Sequence, residues 1–277
     1  MGMRISTNVS ALNAQRTMVQ SQREISKSMS QLSSGSRITK SADDAAGLAI
    51  SENLKGQIRS LSQASRNAND GISLVQVAEG GLNEISSILT RMRELGIQAS
   101  SDTLGDTERG FLNKEVSQLK EEMQRIASST KFGELKLIDG NGGSFDFQVG
   151  AGADPEVDRI TYNAGETNAS IDALGVDGFD FSTKDGAQEA LAQIDTAQTT
   201  VNGFRAGLGA LQNRLQSTVD NLGVQHENLS AANSRIRDTD VAQATADMTR
   251  NNILLNANTS VLAQANAIPQ AAMKLIG

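Results

Sequence analysis

Apolar residues recur every seven positions over a long part of the chain. The uninterrupted series is Leu54, Leu61, Ala68, Val75, Leu82 and Leu89. A seven-residue spacing places side chains along one side of an α-helix. The pattern therefore predicts one helix of roughly 55 residues, about 80 Å long at the usual rise per residue. A helix of that length needs other helices to cover its apolar side.

Two further segments have helical spacing. The first, after a polar break, contains Leu112, Val116, Leu119, Met123 and Ile126, and the second contains Leu208, Leu215, Leu222, Leu229 and Ile236. We expect them to complete a helical bundle with the first helix. Between residues 131 and 186, short alternating apolar runs among glycines predict a β-hairpin and one further strand. The predicted fold class is mainly α: an elongated helical bundle or coiled coil of paired N- and C-terminal segments, with a small β-hairpin region in the middle.

Both ends of the chain have apolar stripes with few charges. The stripe residues are Ile5, Val9, Leu12, Ile25 and Leu32 near the start, and Val241, Met248, Leu255 and Leu262 near the finish. Residues 241–277 contain only three charged side chains, Asp247, Arg250 and Lys274. An isolated pair of such helices would expose much apolar surface. We therefore predict a subunit of an open polymer, in which one head-to-tail interface repeats without closing.

Composition excludes several other classes of protein. The 277 residues include no cysteine and one histidine, so a disulfide scaffold, a thiolate metal site and a multi-histidine site are excluded. The net charge of −7 argues against a nucleic-acid partner. The sequence contains no run of eighteen apolar residues, so no membrane-spanning segment is predicted. The first residues lack the pattern of a cleaved secretion signal. We expect neither a cofactor nor an enzymatic activity.

Asp43 and Asp44 are adjacent carboxylates, which raises the alternative of a catalytic acid pair. They directly precede the helical segment "AAGLAI". Side-chain oxygens at that position accept hydrogen bonds from free helix N–H groups, and negative charge suits the positive end of the helix dipole. No Ser/His/Asp set, phosphate loop or metal-ligand spacing accompanies them. Both are predicted to cap the long helix.

Several long motifs resemble bacterial flagellin. They include "RISTNVSALNAQR", "LSSGSRITKSADDAAGLAIS", "RMRELGIQAS" and "ENLSAANSRIRDTDVAQATADMTRNNILLNANTSVLAQAN". The resemblance implies a subunit that polymerises into the flagellar filament, the propeller for swimming motility, with a hook–filament junction protein as the alternative. It implies an inner coiled-coil layer of residues 1–44 and 238–277, and a helical bundle layer of residues 45–237. Only about sixty residues separate the conserved halves, so no large outer domain is expected.

The resemblance also implies partners and a location. Members of this family leave the cell through the flagellar type III apparatus without a cleaved signal, are held by an export chaperone, and meet filament cap and hook-junction proteins. The expected location is extracellular, in the filament. Arg91 and Leu95 match the segment through which many flagellins are recognised by Toll-like receptor 5, and Glu122 matches the acidic residue that the neighbouring helix supplies. Counting 100° per residue from Leu89 places Arg91 and Leu95 at about 200° and 240°, so both are expected to be exposed.

Overall fold

The structure, a computed structural model, describes residues 7–276, with side chains over residues 7–267. Long helices dominate this range, and a small β-region lies between the third and sixth helices, which confirms the predicted fold class. The five long helices are α1 (Val9–Ser34), α2 (Ala45–Ala99), α3 (Asp106–Ser129), α6 (Lys184–Arg237) and α7 (Val241–Ile276). Helix α2 has 55 residues, the length that the seven-residue spacing predicts.

Packing divides the described chain into two compact units. The smaller unit contains the described residues up to Gln57 and those from Asn228 onward, and the larger unit is Ile58–Glu227. The change from one unit to the other falls inside α2 and α6. The predicted layers, 1–44 with 238–277 and 45–237, instead divide the chain at breaks between helices. The predicted layers describe the arrangement of the chain in a filament. The division into these layers therefore remains a prediction.

In the smaller unit, α1 and α7 form an antiparallel pair. Helix α1 ends at Gly35, whose φ of 67° is the left-handed conformation that terminates helices. The backbone N–H of Thr239, just before α7, donates to the carbonyl of Gly35 at 3.0 Å. The N–H of Arg37 donates to the carbonyl of Arg237 at 2.6 Å. The end of α1 is thus joined directly to the start of α7.

The larger unit is built on α2, which contacts both α3 and α6. Arg91 of α2 forms an ion pair with Glu115 of α3 at 2.9 Å, and Arg93 of α2 forms one with Asp195 of α6 at 2.7 Å. The apolar side chains between these helices form one continuous core. Its fully buried members include Val75, Leu82, Ile85, Leu89, Met92, Val116, Met123, Ile194, Leu208 and Leu215.

The β-region consists of two antiparallel pairs. The short pair is β1 (Lys131–Phe132) with β2 (Leu135–Lys136), and the longer pair is β3 (Ser144–Gln148) with β4 (Arg159–Asn163). Alternate residues of β4 are buried, namely Ile160 and Tyr162, as the alternating apolar pattern predicts. The short helices α4 (Pro155–Asp158) and α5 (Ile171–Leu174) complete this region.

Helix α6 begins after Thr183, which caps it. The Thr183 hydroxyl accepts from the N–H of Gly186 at 3.2 Å, and its carbonyl accepts from the N–H of Ala187 at 3.1 Å. The first bond satisfies an N–H group that has no partner within the helix, and the second is the first i→i−4 bond of the helix. The helix start is therefore determined locally.

Candidate assembly surface

Small side chains form the centre of the contact between α1 and α7. The buried residues of α1 are Ala14, Ser21 and Ser28, which are seven positions apart. In α7, Ala244 and Ala265 are buried. Small residues let two helix backbones approach closely, because the distance between helix axes depends on the side chains at the contact. The fully buried positions of the contact are therefore occupied by small side chains, which allow the two backbones to approach.

Polar groups fix the alignment of this pair at its two ends. Asn8 caps α1, where its Oδ1 accepts from the N–H of Ala11 at 3.0 Å. The same side chain donates through Nδ2 to the carbonyl of Ala265 at 2.8 Å. At the other end, the Arg37 guanidinium donates to the carbonyl of Ile236, in the last turn of α6 just before α7, at 2.8 Å. The Asn8 bond fixes the position of α7 along α1 directly, whereas the Arg37 bond holds the end of α6 that leads into α7.

Large apolar side chains of the pair point into solvent. Ile253 is 64% exposed and Leu12 is 52% exposed. The complete set is Val9, Leu12, Val19 and Met29 on α1, and Val241, Ile253, Leu254 and Val261 on α7. Two charged side chains of the described part of α7, Asp247 and Arg250, form an ion pair with each other at 2.7 Å. The exposed surface of α7 is thus largely apolar or neutral.

The residues predicted to mediate polymerisation fall into two groups. Val9, Leu12 and Val241 are exposed. Five others are half-buried and lie on the helix sides that carry the small buried residues: Ile25, Leu32, Met248, Leu255 and Leu262. Ile5 lies outside the described residues. The exposed group is available to another molecule, whereas the half-buried group also supports the pair within one chain.

The two adjacent carboxylates have different partners. The Oδ1 atom of Asp44 accepts from the N–H of Gly47 at 2.8 Å, which is the geometry of an N-cap on α2. Asp43 does not cap α2, contrary to the prediction. Its Oδ2 accepts from the N–H and hydroxyl of Thr39 and from the N–H of Lys40, at 3.0 to 3.1 Å. These bonds lower the pKa of the Asp43 carboxyl, and the bond from the Lys40 N–H contributes most.

The predicted exposure of Leu95 is wrong. Arg91 is exposed and Glu122 is half-buried, but only 1% of Leu95 is accessible. Arg91 donates to Glu94 and Glu115, and Glu122 accepts two hydrogen bonds from Arg125. An apolar anchor formed by Leu95 is therefore absent from the surface of this chain.

The width of the buried side of α2 explains the error. The prediction assumed one covered stripe centred on Leu89. Counting about 100° per residue, the buried residues extend from Leu95 at about 240° through Met92 to Leu82 at about 20°. Two helices pack on α2, so the buried side is wide and Leu89 lies near one edge of it. Leu95 lies at the other edge, whereas Ile97 is 53% exposed.

The sequence interpretation missed the contribution of the small residues. A search for large apolar side chains passes over Ala14, Ser21 and Ser28, although their spacing of seven is the same signal. It also missed Ile253, the most exposed large apolar residue among those described in α7. Because it sits about 180° from Ala244 at 100° per residue, Ile253 lies on the far side of the helix from the pair.

Neither a metal-binding cluster nor a membrane-spanning helix is found in the described part of the chain. Within residues 7–276, no three histidine, cysteine or acidic side chains are placed to hold a metal ion. A search of the same residues finds no helix long and apolar enough to cross a membrane. The prominent surface feature is instead the set of large exposed apolar side chains on the α1–α7 pair. Such a surface is suited to packing against other helices.

These features define a class: a helical structural subunit whose end helices present apolar faces for assembly. Comparison with known proteins specifies the family. Residues 5–142 match the bacterial flagellin N-terminal helical region, and residues 191–276 match the bacterial flagellin C-terminal helical region. The chain belongs to the bacterial flagellin family and is a subunit of the flagellar filament, which is extracellular. The stretch between the two matched regions is short, so the chain has no large outer domain.

Individual relatives agree with this assignment. The flagellin of Halalkalibacterium halodurans is 45% identical over 272 residues, covering 98% of this chain and 99% of that protein. The flagellin of Bacillus subtilis (strain 168) is 41% identical over 303 residues, covering 99% and 100%. The crystal structure of Bacillus cereus flagellin covers 61% of this chain and 94% of its own, at 31% identity and a TM-score of 0.51. These matches do not favour the alternative of a hook–filament junction protein.

Proposed function

We propose that this flagellin joins the filament by burying the exposed apolar faces of α1 and α7 against the same helices of neighbouring copies. Residues 1–44 and 238–277 then form the inner layer, and residues 45–237 form the layer around it. We propose a head-to-tail interface, because only an interface that repeats without closing builds a filament.

The proposal rests on one observation: in the α1–α7 pair, small side chains are buried and large apolar side chains are exposed. Among the described side chains of the smaller unit, the buried apolar ones are Ala14, Ile38, Ala244 and Ala265. The eight large apolar side chains named above are exposed instead. Complete burial of one Val, Leu or Ile contributes roughly 1.5–3 kcal/mol. Several such side chains buried between copies would offset the loss of freedom on association.

The test is polymerisation of purified protein carrying Ile253→Asp. We expect this variant to remain folded and monomeric, because Ile253 is exposed within the chain but would carry a charge into an apolar interface. Sedimentation and negative-stain microscopy measure filament formation. Asn252→Asp is the matched control, since it adds the same charge at the adjacent exposed position. Normal filaments from Ile253→Asp would contradict the proposal.

Leu255→Asp and Leu262→Asp test the half-buried group. We expect both to block filament growth and also to loosen the α1–α7 pair, while the core around Leu215 remains folded. Circular dichroism of the monomer measures the loss of helix in the α1–α7 pair, which we expect for Leu255→Asp and Leu262→Asp but not for Ile253→Asp. A variant that keeps the pair intact and still polymerises would remove Leu255 or Leu262 from the interface.

We further propose that the chain has no catalytic activity and reaches the cell exterior through the flagellar type III apparatus. The apolar outside of α7 is suited to a holding chaperone, which would cover it before export. Filament cap and hook-junction proteins would contact the same end helices. Pull-down of the chaperone by wild-type protein but not by Ile253→Asp would support this use of the surface, and equal capture would oppose it.

Recognition by Toll-like receptor 5 is proposed through the exposed Arg91 and the half-buried Glu122, without Leu95. Arg91→Ala should reduce activation of receptor-bearing cells by monomeric protein, and Arg66→Ala, on an exposed part of α2, is the control. Full activity of Arg91→Ala would remove this segment from the receptor interface.

A further inference from the structure

A basic groove lies between α1 and the loop that follows it. Its volume is about 330 Å³, and all of its lining residues belong to the smaller unit. From α1 the lining residues are Gln22, Arg23, Ser26, Lys27 and Ser30, and from the loop they are Thr39, Lys40 and Asp43. Its lining includes none of the exposed apolar side chains named above and no residue of α7.

The three cations of the groove are available to a partner. Within the described residues, no ion pair or side-chain hydrogen bond is formed by Arg23, Lys27 or Lys40, and all three are exposed. The one acid of the groove, Asp43, already accepts three hydrogen bonds through Oδ2. Lys27 contributes to the lowered pKa of Asp43, but it remains exposed. The groove thus carries excess positive charge.

A hydroxyl beside these cations also suits a carboxylate. The Ser26 and Thr39 hydroxyls already donate to the Gln22 carbonyl and to Asp43, which leaves the Ser30 hydroxyl of the groove to donate to a carboxylate oxygen. Hydrogen bonds between ammonium or guanidinium groups and carboxylates are shorter and stronger than neutral ones. An acidic protein surface is therefore the partner that matches both the charge and the hydrogen-bonding groups of the groove.

The larger unit of the chain supplies such a surface. Residues 58–227 contain 14 basic and 25 acidic side chains, and 14 minus 25 is a net charge of −11. The rest of the chain therefore carries the difference between −7 and −11, which is +4. In a polymer of this chain, every copy would present both an acidic unit and a basic groove to its neighbours.

We propose that the groove of Arg23, Lys27 and Lys40 binds carboxylates on the 58–227 unit of a second copy. This inference rests on the proposed polymerisation and adds a polar contact to the apolar one. Opposite charges orient two copies and select their alignment, which apolar faces alone specify weakly. The contact would thus help to determine which of the possible packings of the apolar helices is adopted.

Zero-length cross-linking of isotopically mixed filaments tests the contact. Equal amounts of ¹⁴N- and ¹⁵N-labelled protein are copolymerised and treated with a carbodiimide, which joins a lysine amine to a carboxylate in direct contact. Mass spectrometry then reports which cross-linked peptides contain one chain of each label. We expect mixed-label links from Lys27 or Lys40 to an acid within 58–227. Links only within one chain, such as Lys27 to Asp43, or no links in well-formed filaments, would overturn the proposal.

Charge reversal provides the second test. Lys27→Glu with Lys40→Glu should raise the critical concentration for polymerisation at least about tenfold, because the lost attraction is replaced by repulsion. The control pair, Arg66→Glu with Lys131→Glu, makes the same charge change on exposed residues outside the groove. An equal effect of the two pairs, or none from the groove pair, would overturn the contact while leaving polymerisation established. Failure of the wild-type protein to polymerise would instead contradict the proposed function.

Discussion

Thr130 at the end of α3 lies against Gly81 in the middle of α2. A Cβ atom at position 81 would meet the Thr130 Oγ1 at 2.6 Å and the Ile138 Cδ1 at 3.0 Å. The Thr130 hydroxyl donates to the carbonyl of Ile126 at 2.8 Å, so it is not free to move aside. The absence of a side chain at Gly81 therefore lets the end of α3 and the β-region approach α2.

The first prediction compares two neighbouring glycines of α2. Gly81→Ala should lower the free energy of unfolding by about 1–3 kcal/mol, because it overpacks a filled space. Gly80→Ala should raise it by roughly 0.5–1 kcal/mol, since nothing lies within 4 Å of a Cβ there and alanine favours helix. Urea unfolding of the monomer measures both. Equal effects of the two substitutions would show that Thr130 does not restrict position 81.

The second prediction concerns Leu95, which is buried. Leu95→Ala should destabilise the protein by roughly 2–5 kcal/mol, because it leaves a cavity in the core. Ile97→Ala, two residues away on the exposed side, should change stability by less than about 0.5 kcal/mol. Thermal unfolding checks both variants. If Leu95→Ala were as stable as the wild type, the assignment of Leu95 to the core would be wrong.

The third prediction separates the roles of Asp44 and Asp43. Asp44→Ala should destabilise the start of α2 by about 1 kcal/mol, whereas Asp44→Asn should have a smaller effect because asparagine also caps helices. The melting temperature of assembled filaments, measured by calorimetry, reports the change. Asp43→Ala should instead alter the amide signals of Thr39 and Lys40 and leave that of Gly47 unchanged. If the Gly47 amide signal shifted in Asp43→Ala, Asp43 rather than Asp44 would be the cap of α2.

The fourth prediction is a pH dependence at the α2–α6 contact. The hydrogen bond from Arg93 lowers the pKa of the Asp195 carboxyl below its ordinary value of 3.8. The ion pair therefore contributes its full stability above that value and loses it as the pH falls through the lower, folded-state pKa. Carboxyl NMR should show Asp195 titrating below 3.8 in the wild type. In Arg93→Gln the midpoint should move up, and an unchanged midpoint would contradict the pairing.

The fifth prediction concerns the monomer before assembly. Because the α1–α7 pair buries few apolar side chains, we expect amides at 255–262 to exchange with solvent far faster than those at 82–89 in the core of the larger unit. Polymerisation should slow exchange at 255–262, since copies then bury these helices together. Hydrogen-exchange mass spectrometry of verified monomer and of filaments measures both states. Strong protection of 255–262 in the monomer would contradict this account.

Much of the fold is predictable because its helices have long, regular patterns. The seven-residue series ending in Leu89 predicts the length of α2, and Thr183 and Asp44 lie at helix starts where their side chains can act locally. The pairing of β3 with β4 is less apparent, because α4 and its flanking turns separate the two strands. The candidate assembly surface was only half anticipated, since exposed Val9 and half-buried Leu255 have the same kind of sequence pattern.

The sequence by itself determined the helices, the low charge of the end segments and the family, because these depend on local spacing and composition. Only the tertiary structure decided which side of each helix is covered. Periodicity identifies an apolar stripe but not how many neighbours pack on it, so Leu95 was expected at the surface and lies in the core. In the same way, close packing through Ala14, Ser21 and Ser28 turns Ile253 outward, and the folded loop brings Lys40 beside Lys27 to form a groove.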